Sequence, residues 1–156
     1  MSRATPKTET TPSIHRSVGY WVSLLSRSME TEFSHSLAPY GLTRMSYAVL
    51  GAMVFDNRTT PSDIAEFLGV DRAAVTRLLD KLEAKELVSR NKSTGDRRSI
   101  SVYATPEGKK TATDIQEHSR AVNARFSEAL EPEEQERFIE MVKTMLAHSD
   151  TPPQSL

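Results

Sequence analysis

The sequence predicts a mainly α-helical fold carrying one small β-wing, and three patterns predict it. Apolar residues recur at helical spacing near both ends of the chain. Between residues 60 and 85 two short helical patterns stand back to back, parted by a turn that contains Gly69. Two β-prone runs then flank a polar, arginine-bearing segment, which is the pattern of a hairpin.

The elements follow in order. Ile14, Val18, Trp21, Leu25, Met29, Phe33 and Leu37 step by three or four and predict one long amphipathic helix over residues 14–38. Pro39 and Gly41 stop it. Thr43 is placed to cap a helix carrying Tyr47, Leu50 and Val54 on one stripe, with Val49 and Met53 beside them, and Asp56 and Asn57 close that element. The next helix opens with Thr60 as cap, Pro61 at the first helical position and Asp63 three residues past the cap. Ile64, Phe67 and Leu68 mark its apolar face. Gly69 ends it in a left-handed conformation at low cost, and Asp71 caps its successor.

In that successor Val75, Leu78, Leu79 and Leu82 fall at i, i+3, i+4 and i+7, so one face is buried. Arg72, Ala73, Thr76, Arg77 and Asp80 must point away from it, and the candidate DNA contacts on this helix are Arg72, Ala73, Thr76, Arg77 and Lys81. Short side chains beside arginines suit a helix lying in a major groove, where Arg grips guanine or phosphate and Ala or a Thr methyl touches thymine. Residues 87–91 and 99–103 then read as two short strands. Asp96, Arg97 and Arg98 stand where such a wing reaches the flanking minor groove, whose negative potential attracts arginine, and Arg90 lies at its base. Asp96 is placed to orient Arg98 through a charge-assisted hydrogen bond.

Beyond the hairpin Thr105 and Pro106 restart a helix. Its seam of Ala112, Ile115, Ser119, Val122, Phe126 and Ala129 alternates steps of three and four and calls for a partner helix. Pro132 opens a last helix with Phe138, Ile139, Val142, Met145 and Leu146 on one side. Three long helices at the chain ends exceed what a small head needs to cover its own core. Their stripes point to a dimer holding two recognition helices about 34 Å apart.

Composition limits the alternatives. A chain of 156 residues, 26% charged and 37% hydrophobic, has the make-up of one soluble domain. It has no apolar run long enough to span a bilayer, so no membrane partner is expected. Its first dozen residues are polar, which reads as an arm in the cytoplasm. The absence of cysteine fits a reducing compartment and removes thiol-based sensing. A net charge of −1 argues against nucleic acid at first sight. Its distribution answers the objection: between Asp71 and Arg98 bases outnumber acids by 8 to 5, whereas from Phe126 to Asp150 acids outnumber bases by 7 to 2.

Several spaced motifs carry a family resemblance. They are Leu42-Thr43, the run from Val70 to Glu83, Leu87-Val88-Ser89-Arg90, Asp96-Arg97-Arg98 and Thr105-Pro106-Glu107-Gly108. In these the chain resembles the MarR family of bacterial transcription regulators. The likeness is sharpest from about Leu42 to Gly108. Three residues depart from the family pattern: Glu86 replaces the usual glycine after the recognition helix, where a side chain at positive φ is expected to strain the exit, Ser46 replaces a common glutamine, and Ala104 a leucine. The resemblance implies a winged helix-turn-helix head on a helical dimerisation scaffold in which first and last helices interlock. It also implies an effector pocket where the first helix and the helix after Leu42 meet the head. Trp21 and Tyr47 are the candidate aromatic contacts there and Arg27 the candidate anion anchor, with an aromatic acid as the default effector.

The expected organisation is an arm at residues 1–13, a domain at 14–148 and a tail at 149–156. Within the domain, residues 14–40 and 106–148 form the scaffold and 42–104 the head. Against these readings stand plainer ones. Arg72, Arg77, Lys81 and Lys85 are also what a solvated helix face looks like, Arg90 also suits packing at the wing base, and Trp21 and Tyr47 also suit the core. Asp114 and His118 form an i, i+4 pair, too little by itself for a metal site. No phosphate loop, nucleophile elbow or acid pair suggests an enzyme, and no cofactor is expected. The expected function is a homodimeric regulator of double-stranded DNA, a repressor released by a small molecule. The alternative is a winged-helix protein-interaction module without specific DNA binding.

Overall fold

A computed structural model of the protein describes residues 13–92 and 100–149, leaving aside the side chains of Lys92 and Ile100. Its elements are α1 (Val18–Leu37), α2 (Arg44–Val54), α3 (Pro61–Leu68), α4 (Arg72–Ala84), β1 (Val88–Lys92), β2 (Ile100–Ala104), α5 (Pro106–Ser127) and α6 (Pro132–Ala147). The architecture is mainly α with a two-stranded antiparallel wing.

Side-chain oxygens decide where the helices begin. Thr43, Thr60, Asp71 and Thr105 each accept the backbone N–H three residues on, satisfying a donor that the helix itself cannot. At the first helix the same chemistry corrects the sequence expectation. Ser13 caps a short 3₁₀ turn (Ile14–Arg16), and Ser17, in extended conformation, starts α1 afresh by accepting from the Tyr20 amide. The long helix over 14–38 is therefore broken at Ser17. At the other end of α1 a second 3₁₀ turn (Ala38–Tyr40) leads into Gly41, whose φ of 60° is left-handed.

Helices α2, α3 and α4 pack around one core with the wing against it. Val75, Leu79 and Leu82 are fully buried against Val49, Leu50, Ile64 and Val102, and burying each such side chain stabilises by about 1.5–3 kcal/mol. Leu78 is half-buried. Phe67 departs from its expected core place: it is 36% exposed, with the Arg58 guanidinium 4.7 Å from its ring centroid.

Two tight backbone junctions flank the start of the wing, one at the exit of α4 and one against α5. Glu86 takes φ 59°, so the strain expected from a side chain at this exit is real. Its amide donates to the Glu83 carbonyl at 2.8 Å and that of Leu87 to the Leu82 carbonyl at 3.0 Å, which together close the end of α4. At Gly108 helix α5 approaches the residue before β1 so closely that a Cβ would lie 2.0 Å from the Leu87 carbonyl oxygen. In the wing Arg90 faces Val102, and the Val102 amide donates to the Thr59 carbonyl at 2.8 Å, tying the hairpin to the segment before α3.

The helices toward the chain ends are differently placed. Leu37 is buried and Met29 and Phe33 are half-buried, but Val18, Trp21, Val22 and Leu25, farther up α1, are exposed. Ala112 and Ile115 of α5 lie in the core, while Ala129, expected on the same seam, falls beyond the helix end. Helix α6 buries none of its residues; Phe138, Ile139, Met145 and Leu146 are all exposed. No helix among the described residues is long and apolar enough to cross a membrane.

Candidate nucleic-acid interface

The burial of Val75, Leu79 and Leu82 fixes the rotation of α4, and that rotation exposes Arg72, Ala73, Thr76, Arg77, Asp80 and Lys81 on one stripe. The structure thus brings together Arg72, Ala73, Thr76, Arg77 and Lys81, the five residues of this helix that were expected to face DNA. Among the described residues Arg72, Arg77 and Lys81 form no ion pair, so their charges are available to phosphate or base edges. The Thr76 hydroxyl donates to the Arg72 carbonyl at 3.0 Å, leaving a lone pair and the methyl for a groove. Lys85 leaves the stripe. Its ammonium sits over Gly41, 2.9 Å from where a Cβ would be.

Arg90 is not free either. Its guanidinium donates to Asp80 at 2.5 Å, lies 3.2 Å from Glu83, and reaches the Thr76 carbonyl at 3.5 Å. Both acids belong to α4. The sequence reading missed their part because two acids on a helix meant for DNA look merely unfavourable. Arg58 is likewise engaged, donating to Asp63 at 3.0 Å. Asp96, Arg97 and Arg98 lie outside the described residues, and with them the expected Asp96–Arg98 bond.

A second feature lies where α1, α2 and α5 diverge. A cavity of about 730 Å³ is lined by Met29, Phe33, Met45, Tyr47, Ala48, Val70 and Val122, with Glu30, Arg44, Ser119 and Asn123 as its polar members. The size and mostly apolar lining are those of a small-molecule site. Phe33 and Tyr47 meet edge to face, 5.5 Å between centroids. Burial pushes the Tyr47 phenol up, opposed by the positive charge of Arg120, so it stays neutral at ordinary pH. Arg44 pairs with Glu30 at 3.0 Å. The Ser26 hydroxyl, donating to Glu30 at 3.1 Å, and the Arg44 guanidinium hold that carboxyl below its ordinary value.

Of the three residues expected at an effector site, only Tyr47 lines this cavity. Trp21 lies two helical turns before Met29, about 12 Å up the axis. Its indole N–H donates to the His15 carbonyl at 2.7 Å, and its ring packs against Tyr20 at 5.2 Å. At 54% exposed it is not in the core of this chain either. Arg27 is exposed on α1, its Nε donating to the Ser23 carbonyl at 3.3 Å. Arg44 was overlooked, although it stands three residues before Tyr47 on the same face of α2, a spacing the sequence displays. Asp114 pairs with Lys110 at 3.5 Å.

A helix-turn-helix with an exposed basic stripe, backed by a wing and flanked by long helices, has the form of a DNA-reading regulator. Residues 40–99 match the MarR family model. The HTH-type transcriptional repressor MdtR of Bacillus subtilis is 32% identical over 110 residues, covering 70% of this chain and 71% of that protein. Two solved structures share the fold. The MepR–DNA complex of Staphylococcus aureus has a TM-score of 0.72 at 23% identity, over 84% of this chain and 96% of the other. BpsR of Bordetella bronchiseptica, whose DNA binding is described as regulated by 6-hydroxynicotinic acid, has a TM-score of 0.72 at 20% identity, over 90% and 100%. The chain belongs to the MarR family of transcriptional regulators. Its relatives and its fold are those of DNA-binding regulators, not enzymes.

Proposed function

We propose that this protein is a homodimeric repressor that holds a palindromic operator and releases it when a small molecule occupies the cavity between scaffold and head. The observation that carries DNA binding is the exposed Arg72–Lys81 stripe of α4, locked outward by three fully buried residues on the opposite face. Arg97 and Arg98 are proposed to extend that contact into the minor groove. The relative named a repressor and the neighbour solved on DNA support this assignment.

Dimerisation rests on apolar surface left uncovered. Ile14, Val18 and Trp21 at one end of the chain and Phe138, Ile139, Met145 and Leu146 at the other are all exposed, and a second copy is proposed to cover them. Residues 14–40 and 106–148 therefore form the proposed scaffold and 42–104 the head. Trp21 is assigned to that interface, and Tyr47 and Arg44 replace Trp21 and Arg27 as proposed effector contacts. An aromatic acid fits an apolar cavity with one guanidinium, provided its carboxylate competes with Glu30 for Arg44. Any release of DNA equals the ligand's differential affinity for the two arrangements of the heads.

Selection of genomic fragments, followed by titration of the best fragment at two salt concentrations, tests this function. Salt-dependent binding of a dimer to an imperfect palindrome with half-sites about 10 base pairs apart is expected. Arg77→Ala and Arg98→Ala should each cost about 1–3 kcal/mol. Binding that ignores salt, or a monomer by light scattering, would return the chain to the protein-interaction alternative. Aromatic acids should weaken operator binding in the wild type and lose that effect in Arg44→Ala.

A further inference from the structure

Asp80 stands on the same exposed stripe as Thr76 and Arg77, one helical turn further on, and Glu83 follows it. A carboxylate on a surface meant to approach phosphates repels them unless something neutralises it. The neutralising group is Arg90, and it comes from a different element. Arg90 is directly opposite the fully buried Val102 in the hairpin, so both side chains leave the sheet on the face turned to the head. With a side chain only 26% exposed, Arg90 spans from the strand to α4 and ends between Asp80 and Glu83. One guanidinium thereby joins the root of the wing to the recognition helix at two carboxylates, and a third contact reaches the Thr76 carbonyl on the preceding turn. The fork of a guanidinium fixes direction as well as distance, which a lysine does not.

We propose that Arg90, Asp80 and Glu83 form a positioning clamp that sets the angle of the wing against the recognition helix, so that the two acids promote DNA binding rather than oppose it. This rests on the DNA-binding function proposed above. The clamp makes Asp80 and Glu83 positioning residues and removes Arg90 from the phosphate contacts. It also explains why α4 carries acids on its groove-facing stripe.

The sign of one effect separates the clamp from simple electrostatics. Both acids are exposed enough that Asp80→Asn with Glu83→Gln leaves the core untouched. If the acids only repel DNA, this double variant binds a selected operator more tightly than the wild type. The clamp requires the opposite, a loss of about tenfold with the salt slope unchanged, because no phosphate contact disappears. Arg90→Ala should show the same loss and the same slope, and Arg90→Lys should recover little of it. Equal or tighter binding by the double variant overturns the clamp, as does a slope lowered by about one unit in Arg90→Ala.

Hydrogen exchange on the DNA-free protein supplies an independent readout. Amides of β1 should exchange faster in the double variant, with α2 and α3 unchanged. Unchanged β1 exchange also overturns the clamp. Should the wild type bind no DNA while β1 exchange still rises, the clamp stands as a structural device and the DNA-binding function fails.

Discussion

Glu86 offers a direct measurement of backbone strain at the junction between recognition helix and wing. Its φ of 59° is a left-handed conformation that costs a residue with a Cβ about 1–2 kcal/mol. Glycine adopts it freely but loses about 0.5–1 kcal/mol more conformational freedom on folding. The difference predicts that Glu86→Gly stabilises the fold by about 0.5–1 kcal/mol, which for a chain of this size raises Tm by about 1–4 °C. The native hydrogen bonds survive the change. Residue 86 contributes only backbone atoms to them: Glu86 N–H to Glu83, Leu87 N–H to Leu82 close by, and the Glu86 carbonyl accepting from the Thr105 hydroxyl at 2.8 Å. Glu86→Ala is the control, since it removes the exposed carboxylate yet keeps the strained Cβ, and it should stay within about 0.5 kcal/mol of wild type. Thermal melts of all three proteins at one fixed chain concentration make the comparison, because the proposed dimerisation would make Tm depend on concentration. A glycine variant that melts at or below the wild type, or alongside the alanine variant, refutes the strain argument.

Two other outcomes test the packing and the cavity. Gly108→Ala should destabilise by about 1–3 kcal/mol or more in denaturant titration, because its Cβ meets the Leu87 carbonyl and threatens the Thr105 N–H bond to that oxygen at 3.0 Å. The Arg44–Glu30 pair should show a defined pH response. Glu30 is held below its ordinary value of 4.5, so its stabilising effect is fully present above that value and lost as pH falls through the lowered folded value. The melting difference between wild type and Glu30→Gln should accordingly be flat from about pH 6 to 8 and shrink only in acid; a difference that changes near neutrality contradicts the pairing.

Much of this protein was legible from local rules. Thr43, Thr60, Asp71 and Thr105 cap as their spacing says because capping needs only a side-chain oxygen and an amide three residues away. The stripe of Val75, Leu79 and Leu82 fixes which face of α4 is outward, since helical periodicity is a property of one segment. Even the left-handed exit at Glu86 followed from the end of that segment and its family pattern. Local rules also misled where two caps competed: Ser17 interrupts a stripe whose period runs on unbroken, because period does not record which hydroxyl claims the amides.

What needed the third dimension was every partnership between segments distant in the chain. Arg90 meets Asp80 and Glu83 only because the hairpin folds back on α4, a closeness no spacing encodes. The cavity is set by how α1, α2 and α5 diverge, and that divergence put Arg44 and Tyr47 on its wall and left Trp21 and Arg27 off it. Sequence by itself determined the helices of the head and their caps, the outward basic stripe and the apolar stripes that remain uncovered. Tertiary structure decided which charges are free and which are held, because an ion pair or a cavity depends on distances across the fold, while a cap or a stripe depends on distances along the chain.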